Sequence, residues 1–331
     1  MNILIVRVSS LGDVVHNMPM VADLLRAHPS ANIDWVVEEA YTGLVGLNRG
    51  VRKVIPIALR RWRKSFLSAA TKAEMRRFRC ELQSVSYDVV FDTQGLCKTS
   101  SIMRLARLAP GGRRIGLANA TEGSGYEAVS RIFHDTSVPV DVHMHAVLRA
   151  RTVAAQSLGY AIDAPPDFNL SAPQYADDNA HPLPAWMPDQ PYAVFFHGTA
   201  RADKQWAAAN WIQVGQHLLQ RGLRILLPWG SEAEKLAAQR LADGLPNATV
   251  LPRLPLMDAI LLAQRAALAI GVDSGLTHVA AAYNRPTVEL YIDSPRWKTQ
   301  GDWSSNIVNL GDAGEPPPSA AVIAAIDRLL A

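Results

Sequence analysis

Four short stretches of this chain combine a glycine with hydroxyls, carboxylates or cations, each directly after an apolar run. Ser9-Ser-Leu-Gly-Asp13 follows Ile3–Val8 and opens an amphipathic stretch. Gly12 permits a tight turn, and a helix N-terminus favours a carboxylate at Asp13. Two roles fit that carboxylate equally by position: a helix cap, or a general base at the rim of a cleft. Asp273-Ser-Gly-Leu-Thr-His278 follows Ala267–Val272. A strand, a small turn and a helix start present backbone N–H groups that cradle phosphate. Ser274 can donate a hydroxyl there and Gly275 lets the backbone approach, whereas Asp273 would repel phosphate and suits a sugar hydroxyl. An ordinary strand-to-helix turn is the plain alternative.

His197-Gly-Thr-Ala-Arg-Ala-Asp-Lys204-Gln-Trp206 follows a third apolar run. Lys204 is a compact cation suited to a diphosphate, with Thr199 as a hydroxyl donor. In Pro228-Trp-Gly-Ser-Glu-Ala-Glu234 a carboxylate could grip both hydroxyls of a ribose, or Glu232 and Glu234 could simply complement a helix dipole. A fifth region is purely electrostatic. Between Arg52 and Arg79 stand ten basic residues and one acid, a local charge of +9 in a chain whose net charge is +3. Arg60-Arg-Trp-Arg-Lys64 is its densest part and expects an anionic partner. No nucleic-acid-binding module accompanies it, so an anionic lipid surface fits better than nucleic acid.

Other chemistries are disfavoured. There is no Walker A loop and no GxSxG elbow. Gly123-Ser-Gly-Tyr-Glu-Ala matches GxGxxA but lies too far past its nearest apolar run. Asp141-Val-His-Met-His145 could bind a metal, but alternation in an extended segment explains it as well. No Asp-x-Asp pair offers to bridge a metal to a diphosphate, so neither metal nor cofactor is expected.

The elements that must position these groups follow from hydrophobic periodicity. Ile3–Val8, Ile33–Val37, Lys53–Ile57 and Asp88–Asp92 read as buried parallel strands, with helices over Val21–Arg26, Ala73–Gln83 and Ser101–Leu108 between them. Seven prolines between Ala161 and Pro191 break the alternation and mark an inter-domain connection, with one short strand at Asp167–Leu170. The alternation resumes with strands at Tyr192–Phe196, Arg224–Leu227, Thr249–Leu251, Ala267–Val272 and Thr287–Tyr291. Helices fall at Ala207–Gln220, Glu232–Leu241 and Met257–Gln264, and Ser319 caps a last one. The fold class is α/β, two Rossmann-like domains whose parallel sheets end at a cleft. With 331 residues, 49% hydrophobic and 19% charged, the chain is neither disordered nor fibrous. Two cysteines, no apolar run long enough for a bilayer and no signal peptide point to a cytoplasmic protein.

The chain resembles the ADP-heptose:lipopolysaccharide heptosyltransferases. The residues carrying the resemblance are Ile3–His16, Asp34-Trp-Val-Val-Glu-Glu39, Ile57–Lys64, Asp92-Thr-Gln-Gly-Leu96, Asp203-Lys-Gln-Trp206, Leu227-Pro-Trp-Gly230 and Val272–His278. Within the family, the Arg60–Lys64 string favours enzymes adding the first heptose over those adding the second. The resemblance implies a GT-B fold: an acceptor-binding domain over 1–164, an ADP-heptose-binding domain over 165–315, and a C-terminal helix, 316–331, returning to the first. It implies inverting, metal-independent transfer of L-glycero-D-manno-heptose from ADP-heptose to Kdo of Kdo-lipid A, in inner-core lipopolysaccharide synthesis. The setting implied is the cytoplasmic face of a Gram-negative inner membrane, held peripherally. Asp13 becomes the base; Thr199, Lys204, Ser274 and Gly275 hold the diphosphate, with His278 beside them. Glu234 takes the ribose, the backbone near Leu254 the adenine, and Asp273 a heptose hydroxyl. Arg60, Arg61, Arg63 and Lys64, with Lys98, would meet the acceptor's carboxylates and phosphates. Ala200 stands where relatives often carry a second hydroxyl. The alternatives are transfer to a later core position, or a non-catalytic binder of a nucleotide or anionic lipid.

Overall fold

Short runs of Val, Ile and Leu, interrupted every 15–35 residues by amphipathic stretches, bury themselves best as parallel strands covered on both faces. The structure, a computed structural model, describes residues 1–173, 183–199 and 202–331, and the chain divides into two compact units, Met1–Ser171 and Ala172–Ala331.

The first unit runs β1 (Asn2–Val6), α1 (Leu11–Asn17), α2 (Pro19–Ala27), β2 (Asn32–Glu38), α3 (Thr42–Gly46), β3 (Val51–Ile57), α4 (Leu59–Trp62), α5 (Ala69–Leu82), β4 (Tyr87–Asp92), α6 (Cys97–Leu105), β5 (Leu108–Leu117), β6 (Thr136–Val138) and α7 (Ala146–Leu158). Its six strands are all parallel in the order β3-β2-β1-β4-β5-β6. One face of this sheet is covered by Phe78 and Leu82 of α5 and Ile102 and Met103 of α6, against Leu4, Val6, Val36, Ile55 and Val90. Pro19 explains the two-part first helix. It takes the first position of α2, where its missing N–H is not needed, so α1 stops after two turns.

The second unit runs β7 (Tyr192–Phe196), α8 (Ala208–Gln220), β8 (Arg224–Leu227), α9 (Glu232–Asp243), β9 (Ala248–Val250), α10 (Leu256–Arg265), β10 (Leu268–Val272), α11 (Gly275–Ala282), β11 (Thr287–Tyr291), β12 (Ile307–Gly311) and α12 (Ser319–Leu329). Its parallel order, β12-β11-β10-β7-β8-β9, has the same connectivity as the first sheet.

The differences from the sequence reading have identifiable causes. The helix expected to run to Leu108 stops at Leu105, because Leu108 already pairs with Tyr87. The strand that begins there contains Pro110-Gly-Gly112, and its register jumps between Tyr87–Leu108 and Val89–Arg113, so it has neither helical nor alternating periodicity. Helix α7 escaped because its buried face carries Arg149 and Arg151. Arg151 is buried against Asp23 of α2, Nε to Oδ2 at 2.6 Å and Nη2 to Oδ1 at 3.1 Å. The segment near Asp167–Leu170 makes one bridge, Leu170 with Asn48. Three further bonds fasten it to the end of α3: Asn48 Nδ2 to the Phe168 carbonyl, and the N–H groups of Arg49 and Ser171 to the carbonyls of Asn169 and Leu47. The first unit therefore extends to Ser171 rather than ending at residue 164. Helix α12 buries Val322, Ala325 and Ile326 in the core of the second unit, so residues 316–331 are counted with that unit.

Removing one partner of a buried ion pair leaves the other charge uncompensated, which costs about 3–5 kcal/mol. Asp23→Ala should lower stability to urea by that amount, and a loss below about 1 kcal/mol would show that Arg151 finds another partner.

Candidate active site

Both sheets reverse their strand order at one place, between β1 and β4 in the first unit and between β7 and β10 in the second. Crossovers diverge there to opposite faces and leave a crevice at the carboxyl ends of the strands. Three of the four chemistry-bearing stretches lie at these points: Ser9–Asp13 after β1, His197–Trp206 after β7, and Asp273–His278 after β10.

In the first unit the two loops at the reversal are laced together. Arg7 reaches across to donate to the Thr93 carbonyl beyond β4, and the Val8 N–H donates to Gln94 Oε1 at 3.1 Å. Asp92 accepts the N–H groups of Gln94 and Gly95 and the hydroxyls of Thr99 and Ser100, so it shapes the turn. Asp13 is the third residue of α1, and its Oδ2 accepts the Ser10 N–H at 3.0 Å and the Ser10 hydroxyl at 2.8 Å. The cap reading thus holds for that oxygen. Oδ1 faces two guanidiniums, Arg7 Nη2 at 2.6 Å and Arg149 Nη2 at 3.9 Å, and 38% of the Asp13 side chain remains exposed. Burial opposes ionisation of Asp13, but Arg7, the Ser10 N–H and Arg149 outweigh it and hold the carboxyl well below the usual carboxylate range. Arg149 donates to Thr121 Oγ1 at 2.7 Å; burial, reinforced by Arg7, pushes its own pKa down to about 10.

In the second unit Lys204 Nζ stands 2.5 Å from Asp273 Oδ2. Asp273 Oδ1 lies 3.0 Å from His278 Nε2 and accepts the Thr299 hydroxyl at 3.2 Å. His278 Nδ1 lies 3.0 Å from Glu289 Oε1. Burial alone would lower the His278 pKa, but Glu289 and Asp273 on either side raise it to about 10. Burial likewise opposes ionisation of Asp273, yet His278 and Lys204 hold it well below the usual range. Ser274 occupies the N-cap position of α11 without a side-chain capping bond, and its hydroxyl lies 3.0 Å from that of Thr277, which donates to the Val272 carbonyl. Gly275 is the first residue of that helix. A β-carbon at Gly271 would fall 2.1 Å from Thr277 Oγ1, so the glycine is what lets this turn close onto β10.

Thr199 and Glu234 line one cavity of about 500 Å³, with His197, Trp206 and Trp211 among its other walls. Glu234 uses Oε2 to accept the N–H groups of Gly230 and Ser231 at 2.7 and 3.1 Å, the reciprocal of the Ser231 cap on α9. Glu232 is exposed near Lys235. Leu254 lies in the loop between β9 and α10. Ala200 lies outside the described residues.

The basic residues divide. Arg61 bonds Glu39 at 2.9 Å and Glu74 at 2.8 Å, and both carboxylates raise its pKa further. Arg60 donates to Tyr41 OH and lies over its ring. Among the described residues Arg63 and Lys64 have no ion-pair partner, and both are exposed, as is Lys98 on the first turn of α6. In the Asp141–His145 stretch, His143 Nδ1 lies 3.0 Å from Glu122 Oε2 and His145 Nδ1 accepts the Val147 N–H at the start of α7. Among the described residues no group of three His, Cys, Asp or Glu side chains is arranged to hold a metal.

Residues 75–321 match glycosyltransferase family 9 (heptosyltransferase). The chain belongs to that family. This family 9 glycosyltransferase is 39% identical over 292 residues to lipopolysaccharide heptosyltransferase 1 of Pseudomonas aeruginosa, covering 88% of this chain and 78% of the relative. It is 38% identical over 295 residues to the enzyme of that name from Escherichia coli K12, covering 88% of each. The E. coli heptosyltransferase WaaC solved with ADP superposes with a TM-score of 0.84 at 34% identity, over 99% of this chain and 100% of the other. The same protein solved with ADP-2-deoxy-2-fluoro heptose gives a TM-score of 0.80 over 99% of each chain. The fold of this heptosyltransferase-family chain is GT-B.

Sequence reasoning missed Arg7, Arg149 and Thr121 around Asp13, and Glu289 and Thr299 around Asp273. Arg7, just after β1 in the apolar run Ile3–Val8, and Glu289 in β11 were visible as single charges among apolar residues; Arg149 and Thr121 carried no local signal.

His278 has a raised folded pKa, so its contribution to stability is complete below its unfolded value near 6.5 and disappears as the pH rises through about 10. His278→Asn should cost on the order of 2–4 kcal/mol at pH 6, and the gap from wild type should narrow by pH 10.5. A gap that stays constant across that range would mean the imidazole is neutral throughout.

Proposed function

We propose that this glycosyltransferase moves L-glycero-D-manno-heptose from ADP-heptose to a Kdo hydroxyl of Kdo-lipid A, with inversion and without a metal. The observation that carries the reading is Lys204, held by Asp273 beside the N-terminus of α11, in a chain 34% identical to a heptosyltransferase solved with ADP and with a fluorinated ADP-heptose. In a single displacement the acceptor oxygen forms a bond to the anomeric carbon. The bond from that carbon to the diphosphate oxygen breaks, and its electron pair leaves with ADP. The acceptor proton passes to the Asp13 carboxylate. Lys204, the Thr199 and Ser274 hydroxyls and the N–H groups at Gly275 supply positive charge and donors for the leaving diphosphate. Asp273 and Glu234 take hydroxyls of the heptose and ribose, His278 braces Asp273, and the backbone near Leu254 meets the adenine.

Asp13 is ionised in the free protein, as a base must be, but two guanidiniums make it a weak one. Arg7 and Arg149 are also the groups an acidic sugar's carboxylate would seek. An acceptor that draws their charge to itself relaxes their hold and makes Asp13 more basic at the moment its proton acceptance is needed.

Base catalysis typically contributes about 10²–10⁴-fold. Asp13→Ala should lose that much kcat, read as ADP release from ADP-heptose with Kdo-lipid A, while its affinity for the donor stays unchanged. Lys204→Ala should weaken donor binding and rate together. Donor consumption without acceptor, or a normal kcat in Asp13→Ala, would refute the transfer or the base respectively.

No helix among the described residues is long and apolar enough to cross a membrane. We propose peripheral attachment to the cytoplasmic face of a Gram-negative inner membrane through the loop after α4. Arg63 and Lys64 there are followed by Phe66 and Leu67, which are 58% and 80% exposed. Each basic residue at an anionic surface is worth about 1 kcal/mol, roughly a fivefold change in binding. Arg63→Gln and Lys64→Gln should each weaken sedimentation with phosphatidylglycerol vesicles by that factor, more at low salt than at high. Equal binding to purely zwitterionic vesicles would contradict the attachment.

A further inference from the structure

Glu289 lies in the middle of β11, fully buried, in a strand whose other residues are Thr, Val, Leu and Tyr. A carboxyl there is costly unless every oxygen is satisfied and its charge is matched. Oε2 accepts the Tyr291 hydroxyl at 3.0 Å and the Gly301 N–H at 2.9 Å, which fixes the plane of the group. Oε1 is thereby aimed at His278 Nδ1, 3.0 Å away, while Nε2 of the same ring lies 3.0 Å from Asp273 Oδ1. An imidazole with a carboxylate at hydrogen-bond distance from each nitrogen satisfies both only when both nitrogens carry a proton. Either neutral tautomer would turn a lone pair toward an oxygen lone pair.

We propose that Glu289 is a positioning residue of the donor site: through the His278 imidazolium it keeps Asp273 ionised and in place when Lys204 moves from Asp273 to the donor diphosphate. This rests on the reading of Lys204 and Asp273 as donor-binding groups. The charges along the chain alternate, with Lys204 positive, Asp273 negative, His278 positive and Glu289 negative. Among the described residues, the charged groups at hydrogen-bond distance from the imidazole are Asp273 from the turn after β10 and Glu289 from β11, with Lys204 and Thr299 beyond the first and Tyr291 beyond the second. Lys204 has to serve two anions in succession, the protein's carboxylate and then the ligand's diphosphate. When it leaves Asp273, the carboxylate keeps one cation, and that cation persists because Glu289 balances it from behind. Without Glu289 the ring could be neutral, and Asp273 would have to retain Lys204 or take up a proton. Either outcome weakens the grip on diphosphate, although the ligand never touches Glu289.

The test uses Glu289→Gln in the full chain, with ADP as the probe. The amide keeps the shape and an acceptor for Tyr291 and Gly301 but cannot balance a cation. Nitrogen-15 NMR of His278 should show an imidazolium in the wild type from pH 6 to 9, and a neutral ring protonated at Nε2 in the variant above pH 7. ADP affinity, measured by calorimetry, should be nearly flat over this range in the wild type. In the variant it should fall about tenfold between pH 6 and pH 8, the change expected for one protonation coupled to binding. Tyr291→Phe, which removes a hydrogen bond and no charge, should keep the flat profile. Should Glu289→Gln not fold, the wild-type His278 signal decides alone, and a neutral ring at pH 7 overturns the proposal. An imidazolium retained in the variant, with a flat ADP profile, also overturns it. A wild type that does not bind ADP would sink the donor reading itself, which the ligand-free titration of His278 does not depend on.

Discussion

Two parallel strands whose crossovers leave in opposite directions create a gap that no helix of the same sheet can cover. Backbone N–H groups and strand-end side chains at that gap have to find partners across it or in a ligand. Each unit of this chain has one such gap, and in each a long cation bridges it. Arg7 ties the end of β1 to the loop after β4, and Lys204 ties the loop after β7 to Asp273 after β10. The remaining site groups are arranged around these two bridges. Asp13 is held by the first, while Ser274, Gly275 and His278 are set by the turn that carries the end of the second.

The two gaps differ in electrostatic character. Around Asp13 two arginines face one carboxylate, leaving a surplus of positive charge beside a partly exposed side chain. Around Asp273 the charges alternate in sequence and cancel. A surplus attracts an anion that need not displace anything. A balanced chain instead offers a cation that is already committed and has to be exchanged. The first arrangement suits an acidic acceptor, and the second suits a donor whose diphosphate replaces one internal ion pair with another.

Most of the strands, and both kinds of strand-end loop, were legible in the sequence because burial on two faces leaves uninterrupted apolar runs. Thr287–Tyr291 was found with its boundaries intact despite containing Glu289, since one charge among four apolar or β-branched residues does not erase the run. What escaped were elements whose periodicity is broken for a structural reason. Strand β5 absorbs a register jump through Pro110-Gly-Gly112, and α7 turns two arginines inward. Asp13, Lys204, Asp273 and His278 could be selected because their loops follow strands. Arg149 and Thr121 could not, since they reach one another only through tertiary folding across 28 residues.

Of the cations near the start of the basic region, Arg61 contributes least to an external ligand and most to the loop itself. Its guanidinium joins Glu39, just past β2, to Glu74 on α5, and Trp62 Nε1 donates to the same Glu74 carboxylate at 2.7 Å. The loop's footing is thereby stitched at two points, just past the end of β2 and on α5. The neighbouring exposed charges, Arg63 and Lys64, therefore extend from a fixed footing. Cutting the stitch at Glu74 would leave every outward positive charge in place and still loosen the footing from which they extend.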